Sequence, residues 1–280
     1  MSERRGPGLY PGIPNVEYHR GLVDPRPLSS TLAKNLVRML PEEARWHQEH
    51  GEYKQSFSEG TAAHELILQG GFQTVVEMPY DSWRSKEARE ARDAAQAEGL
   101  TPMLTSQLDN VKAMAEAVRS KPDNAQLLGT GGEAEVSALV EHDGIMLQTR
   151  YDYLRLPDEK HSGYILDLKT VAGSAAPRDF LRNAASYGYH LQAAMYVKVL
   201  ELLGYGTLPF IWLVASKQEP YASSLIQAQP DDLQIGGGLL EIAERKWAHI
   251  IENGWPTTTG IAQAGMPGWT EYEAEELSNV

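Results

Sequence analysis

The stretch Gly163-Tyr-Ile-Leu-Asp167-Leu-Lys169-Thr170 constrains this chain more than any other. Tyr164, Ile165, Leu166 and Leu168 favour a pleated, buried surface, so the run reads as a β-strand. Side chains alternate across a strand, which puts Asp167 and Lys169 on one face. Burying either charge alone costs several kcal/mol or forces neutralisation. A buried Asp-x-Lys therefore implies something that compensates both charges, most simply a divalent metal and a phosphate. Taken alone, the pattern fits equally an Asp and a Lys solvated at a strand end.

The surrounding sequence predicts a layered fold. Period-two patterning marks strands over 133–141, 145–156 and 164–171, with His142-Asp143-Gly144 as a hairpin signal between the first two. Further strands are expected over 208–216 and 221–227. Helical spacing marks 32–40 and 105–120, propensity marks 84–98, and further helices are expected over 62–68, 186–203 and 231–252. Ser29 or Ser30 is a sensible N-cap for the first helix, and Pro41 stops it or opens the next. Residues 1 to about 27 read as irregular, and the tail from Gly254 as poorly ordered. This order predicts an α/β (α+β) sandwich with a central mixed β-sheet flanked by helices. The expected organisation is one domain over 1–255, with a helical part over 28–120, a sheet core over 130–252 and a tail over 256–280.

Composition excludes several classes. The chain has 280 residues, 42 % of them hydrophobic, enough for a sizeable core. No apolar run approaches the roughly 20 residues of a membrane span. Met1-Ser-Glu-Arg-Arg-Gly-Pro has no apolar segment behind its arginines, so no secretory signal is expected and the expected location is cytoplasmic. Cysteine is absent, which rules out disulfides, thiolate nucleophiles and zinc–cysteine sites. A net charge of −13 argues against non-specific coating of nucleic acid. It leaves room for an enzyme with a local basic channel. There is no glycine-rich phosphate loop and no Gly-x-Ser-x-Gly elbow.

Asp152, in Arg150-Tyr151-Asp152-Tyr153, falls on the strand before Asp167, and adjacent strands can bring the two acids together. Such hard oxygen ligands suit Mg²⁺ or Mn²⁺, which would activate a water and offset charge on a phosphate. Lys169 would orient or deprotonate that water, or stabilise the developing charge. Gln192 and Tyr196 lie four apart on one helical face, which fits a site or an ordinary polar helix edge. His64, on an early helix, reads as a ligand or a structural histidine. Arg150, Arg155, Lys160, Arg178 and Arg182 flank the strands, and Arg178 and Arg182 read as DNA phosphate contacts or as a solvated face.

Four motifs in this order resemble the PD-(D/E)xK nuclease superfamily, in its RecB-like branch. They are Gly60-Thr-Ala-Ala-His64, Asp152, Asp167-Leu-Lys169-Thr170 and Gln192-Ala-Ala-Met-Tyr196. Tyr151 replaces the proline of the PD motif. A closer resemblance, over about residues 8–255, is to the C-terminal nuclease of RecE (exonuclease VIII) and its phage relatives. It is carried by Gly8-Leu-Tyr10, Glu17-Tyr-His19, Leu28-Ser-Ser-Thr31, Leu40-Pro41, Glu135-Val-Ser137 and Tyr187-Gly-Tyr-His-Leu-Gln192. The resemblance implies a metal-dependent exonuclease that degrades the 5′-ended strand of linear duplex DNA, leaving a 3′ overhang for a RecT-like annealing protein. It implies His64, Asp152, Asp167 and the Leu168 carbonyl as metal ligands and Lys169 as catalytic. Gln192 and Tyr196 would support the site or the DNA backbone, and Glu135 would be a further acidic residue. It also implies a ring-shaped homo-oligomer. Alternatives are another RecB-like nuclease, with Cas4-type proteins disfavoured by the lack of cysteine, or a silent DNA-end-binding subunit.

Overall fold

The structure is a computed structural model describing residues 5–50 and 58–261. The first half holds β1 (Gly8–Tyr10), α1 (Asn15–Arg20), β2 (Leu28–Ser29), α2 (Ser30–Arg38), α3 (Pro41–His50), α4 (Ser58–His64, prolonged by a π turn over Glu65–Gln69), β3 (Val75–Met78), α5 (Lys86–Ala97), β4 (Thr101–Leu104), α6 (Thr105–Arg119) and α7 (Pro122–Leu128). The second half holds β5 (Glu133–His142), β6 (Ile145–Arg155), β7 (Tyr164–Val171), α8 (Pro177–Tyr187), α9 (Tyr189–Leu202), β8 (Phe210–Ser216), β9 (Ser223–Gln227) and α10 (Pro230–Asn253).

Seven strands form one mixed sheet in the order β1-β5-β6-β7-β8-β9, with β2 also paired to β6. The β5–β6 hairpin turns at Asp143 and Gly144, both with positive φ (48° and 79°), as a tight two-residue turn requires. β7 and β8 run parallel, so the chain must cross over between them, and α8 and α9 provide that crossover. β3 and β4 make a separate two-stranded parallel sheet.

Helices cover both faces of the main sheet. On one face α2, α8, α9 and α10 bring Leu32, Leu36, Phe180, Met195, Leu240 and Trp247 against Tyr151, Ile165, Phe210 and Trp212. On the other, α4 and α6 bring Ala62, Ile67, Leu108 and Met114 against Tyr153, Leu166, Leu168 and Leu213. Leu166 and Leu168 thus face one helical layer, while Asp167 between them faces the other. Residues 164–171 are the strand that patterning predicts, with the same bounds.

Three expectations change. The N-terminal stretch expected to be irregular contains β1 and α1, because Leu9 and Tyr10 add to the sheet beside β5 and Tyr18 and Leu22 pack on Leu139. The helix expected over 186–203 begins at Tyr189, and a separate helix, α8, precedes it. Gly188 divides them with φ +68°, where a Cβ would come within 3.1 Å of Arg38 and 3.2 Å of Lys34. β3 and β4 were not anticipated, since two four-residue strands carry too little periodicity. The poorly ordered tail falls mostly on residues 262–280, outside the described residues.

Gly236 lies where α10 crosses the start of α9, and a Cβ on it would sit 2.2 Å from the His190 carbonyl oxygen. Gly236→Ala is therefore expected to destabilise by about 1–3 kcal/mol. Gly238, with nothing within 4 Å of a Cβ, should gain up to about 1 kcal/mol as alanine from helix propensity. Urea unfolding of both variants checks the opposite signs.

Candidate active site

The site forms where β6 and β7 part. They pair only at Tyr153–Leu166, Leu154–Ile165 and Arg155–Tyr164. Further along, β2 takes the edge of β6 at Leu147 and Gln148. Asp152 stands in the fork, and its Oδ2 accepts the Leu168 N–H at 2.8 Å. A side chain thus satisfies a backbone donor that a continued ladder would have used.

Opposite Asp152 on β5 stands Glu135. The β5–β6 register pairs Ala134 with Tyr153 and Val136 with Tyr151 but skips the acids between them. Glu135 has φ +55°, a left-handed conformation uncommon outside glycine. Val136 and Tyr151 pack in one core layer, whereas Ala134 and Tyr153 pack in the other. The ribbon reverses its faces at this acidic pair, which period-two patterning does not foresee. Arg150 fixes Glu135 from behind at 3.9 Å. Arg150 is itself buried, donating to Ser137, Asn15 and the Ile13 carbonyl with its guanidinium over Tyr18. The N-terminal segment therefore builds part of the site's support.

His64 enters from the end of α4. The next residue, Glu65, is buried and accepts the N–H groups of Gln73, Thr74 and Val75 and the Thr74 hydroxyl. That knot anchors the π turn and with it the histidine. His64 Nε2 lies 3.1 Å from the Leu168 carbonyl oxygen, which can only accept, so Nε2 is the donor. Nδ1 faces Asp152 at 3.7 Å and Glu135 at 3.9 Å. Burial works against an imidazolium here, but the two carboxylates outweigh it and raise the His64 pKa to about 9.

Beside the fork on β7, Asp167 is fully buried and forms an ion pair with Lys169 through Oδ2. Its Oδ1 accepts from Gln192 Nε2 at 3.0 Å. Burial pushes the Asp167 carboxyl up, against the pull of Lys169. Burial also opposes the Lys169 charge, yet Asp167 and Asp152 prevail and its pKa is raised. Tyr196 is buried between Tyr151 and Phe210, with its hydroxyl in reach of the Gln192 side chain. It adjoins Gln192 from the buried side, with no face open to solvent.

Arg178 and Arg182 lie exposed on α8. Arg155 is held by Asp158 and the Leu156 carbonyl, and like Arg150 it serves the fold. Two residues that patterning does not single out border the site. Tyr189, one helical turn before Gln192, sits beneath the Lys169 ammonium at 5.0 Å. Lys34, on α2, approaches the same ring at 5.8 Å. The three-residue spacing of Tyr189 and Gln192 was a usable signal; Lys34 had none.

Residues 31–264 match the model of a family described as a PDDEXK-like domain of unknown function, DUF3799. The chain belongs to this PDDEXK-like family. Its fold and its Asp-x-Lys fork place it in the PD-(D/E)xK nuclease superfamily. Among solved structures it is similar to one from Eubacterium rectale described as a candidate exonuclease, at 13 % identity and TM-score 0.60, covering 94 % of this chain and 98 % of that one. That likeness shows a shared fold. SSO0001 (13 % identity, 68 % and 85 % covered) and Rai1 of Scheffersomyces stipitis (9 %, 79 % and 66 %) each give a TM-score of 0.29, too low to carry an argument. No curated protein matches in sequence.

PDDEXK-like enzymes use divalent metals, and the residues present fit one. His64, Glu135 and Asp152 each offer a ligand atom within 4.8 Å of the others. The Leu168 carbonyl borders the same space through its contact with His64. Asp167, expected as a ligand, stands outside this trio, and Glu135 stands in it. Asp167 Oδ2 is taken up by the Lys169 ammonium.

The histidine gives this site a pH signature. A folded-state pKa raised to about 9 contributes stability in full below the ordinary value near 6.5, and that stability is lost as pH rises through about 9. Metal-free protein should thus weaken across that window by at most about 3 kcal/mol, and His64→Asn should abolish the effect in urea titrations. Metal ligation needs neutral imidazole. Binding of Mn²⁺ at neutral pH should therefore release a proton, visible as calorimetric heats that vary with the buffer's ionisation enthalpy.

Proposed function

We propose that this protein is a divalent-metal-dependent exodeoxyribonuclease that degrades the 5′-ended strand of linear duplex DNA and leaves a 3′ single-stranded overhang. The observation that carries the reading is the buried Asp167–Lys169 pair at the strand fork, where Asp152, Glu135 and His64 converge. Polarity and duplex preference rest on the resemblance to RecE-type nucleases. The structure of the same fold from Eubacterium rectale, described as a candidate exonuclease, accords with a nuclease reading.

Bound by His64, Glu135 and Asp152 beside the Leu168 carbonyl, Mg²⁺ or Mn²⁺ would supply Lewis-acid activation of water and positive charge for the phosphate. An imidazole in the donor set tilts the preference towards Mn²⁺. Lys169 is held as an ammonium by its two acidic neighbours, which suits it to stabilise charge growing on the phosphate rather than to abstract a proton. Asp167 orients that ammonium, Gln192 orients Asp167, and Tyr196 backs Gln192. Arg178 and Arg182, exposed on α8, would contact DNA phosphates. The 3′ overhang is the substrate of a RecT-like annealing protein, and a ring-shaped homo-oligomer around the duplex would give processivity. Such a role places the protein in the cytoplasm.

The decisive measurement is digestion of end-labelled linear and circular duplex DNA with Mg²⁺ or Mn²⁺. Linear DNA should lose its 5′-ended strand progressively while circles survive. Lys169→Ala should lower the rate by at least about 100-fold, in line with loss of a charge-stabilising donor. Absence of digestion with every divalent metal would refute the enzyme, and cleaved circles would refute the exonuclease. Light scattering that finds only monomer, with and without DNA, would refute the ring.

A further inference from the structure

Lys34 lies outside every motif of the sequence, yet the structure brings it to the catalytic pair. Its ammonium is 5.8 Å from the centroid of the Tyr189 ring, and the Lys169 ammonium is 5.0 Å from the same centroid. Two cations therefore share one aromatic ring. The ring is held by Phe180 and Tyr187, at centroid distances of 5.9 and 5.6 Å.

The Lys34 stem is also held. It crosses Gly188 so closely that a Cβ there would lie 3.2 Å from Lys34 Cδ. Arg38, one turn further along α2, is occupied in donating to the Ser186 and Ala185 carbonyls at the end of α8. Among the described residues Lys34 makes no such hydrogen bond or ion pair, only its contact with the Tyr189 ring. The acid whose field most favours its charge is Asp167, and Lys169 already matches that acid. Burial, Lys169 and Arg38 all work against the Lys34 charge and lower its pKa to about 8. A cation fixed at such a position gains from an anion, and the anion a nuclease site handles is a phosphodiester.

Resting on the nuclease reading above, we propose that Lys34 is a DNA-binding residue of this site, its ammonium meeting a phosphodiester of the strand held against Lys169. Tyr189 is the positioning residue, its ring aligning the two ammoniums. Lys34 contributes to holding the strand, while Lys169 serves the reacting phosphate.

The test titrates labelled linear duplex DNA with wild type, Lys34→Met and Lys34→Arg across a salt series, with Ca²⁺ in place of Mg²⁺. Cleavage is then followed with Mg²⁺ or Mn²⁺. Lys34→Met should weaken binding about tenfold and reduce the slope of log affinity on log salt by about one. KM should rise with a smaller change in kcat, and Lys34→Arg should restore affinity and slope. A folded Lys34→Met protein with an unchanged salt slope overturns the proposal even if its affinity falls, because a packing defect removes no phosphate contact. If Lys34→Met fails to fold, Lys34→Gln carries the same comparison. Wild type that binds DNA but never cleaves it removes the nuclease reading and leaves the salt slope to decide on Lys34. Wild type that binds no DNA overturns both.

Discussion

The hydrogen bond from the Leu168 N–H to the Asp152 carboxylate holds the rest of the site together. Two neighbouring strands cannot both continue their ladder and leave space between them for chemistry. Here β6 and β7 stop pairing after Tyr153, and the freed N–H is satisfied by an acidic side chain instead of a carbonyl. That exchange keeps the buried backbone satisfied while opening a fork. It also fixes Asp152 next to the Leu168 carbonyl, which His64 contacts from the other direction. The reversal of side-chain faces at Glu135 completes the arrangement, turning a second acid towards the same space.

Charge balance explains why so many supports surround a few functional groups. Asp167 has no access to water, so it persists only with Lys169 and Gln192 on its oxygens. In the fork itself, Asp152 and Glu135 favour a proton on His64 when no metal neutralises them. Arg150 lends a further cation and borrows its own anchorage from Asn15, Ile13 and Tyr18. Segments far apart in sequence are thus tied to the same few carboxylates, and the unit works only when assembled whole.

Much of the fold was legible because strongly periodic segments leave little choice. Residues 164–171 could bury their leucines only as a strand, and the Asp143-Gly144 turn followed from its φ requirements. The division of α8 from α9 was hidden, because Gly188 acts through its contact with Arg38 and Lys34, some 150 residues earlier in the chain. β1 and α1 were hidden for a similar reason: three residues of strand gain stability only from the neighbour they join. In the candidate site, Asp167, Lys169 and Gln192 were visible by their spacing and Asp152 as an acid on the neighbouring strand, whereas His64, a lone histidine, stood out only through the family resemblance. Glu135 was visible as an acid but not as a neighbour of His64, since regular alternation gives no reason for the ribbon to turn over there.

By itself the sequence determined strands β5 to β9, most of the longer helices, and the placement of Asp167 and Lys169 on one strand face, because these depend on interactions within a few residues. The tertiary structure decided which charges meet. It gathered Glu135 with His64 and Asp152, set Asp167 towards Lys169 and Gln192, buried Tyr196 behind them, and brought Lys34 to the Tyr189 ring. Those pairings depend on where strands part and helices cross. Those positions follow from the packing of the whole core, which no local pattern in the sequence records.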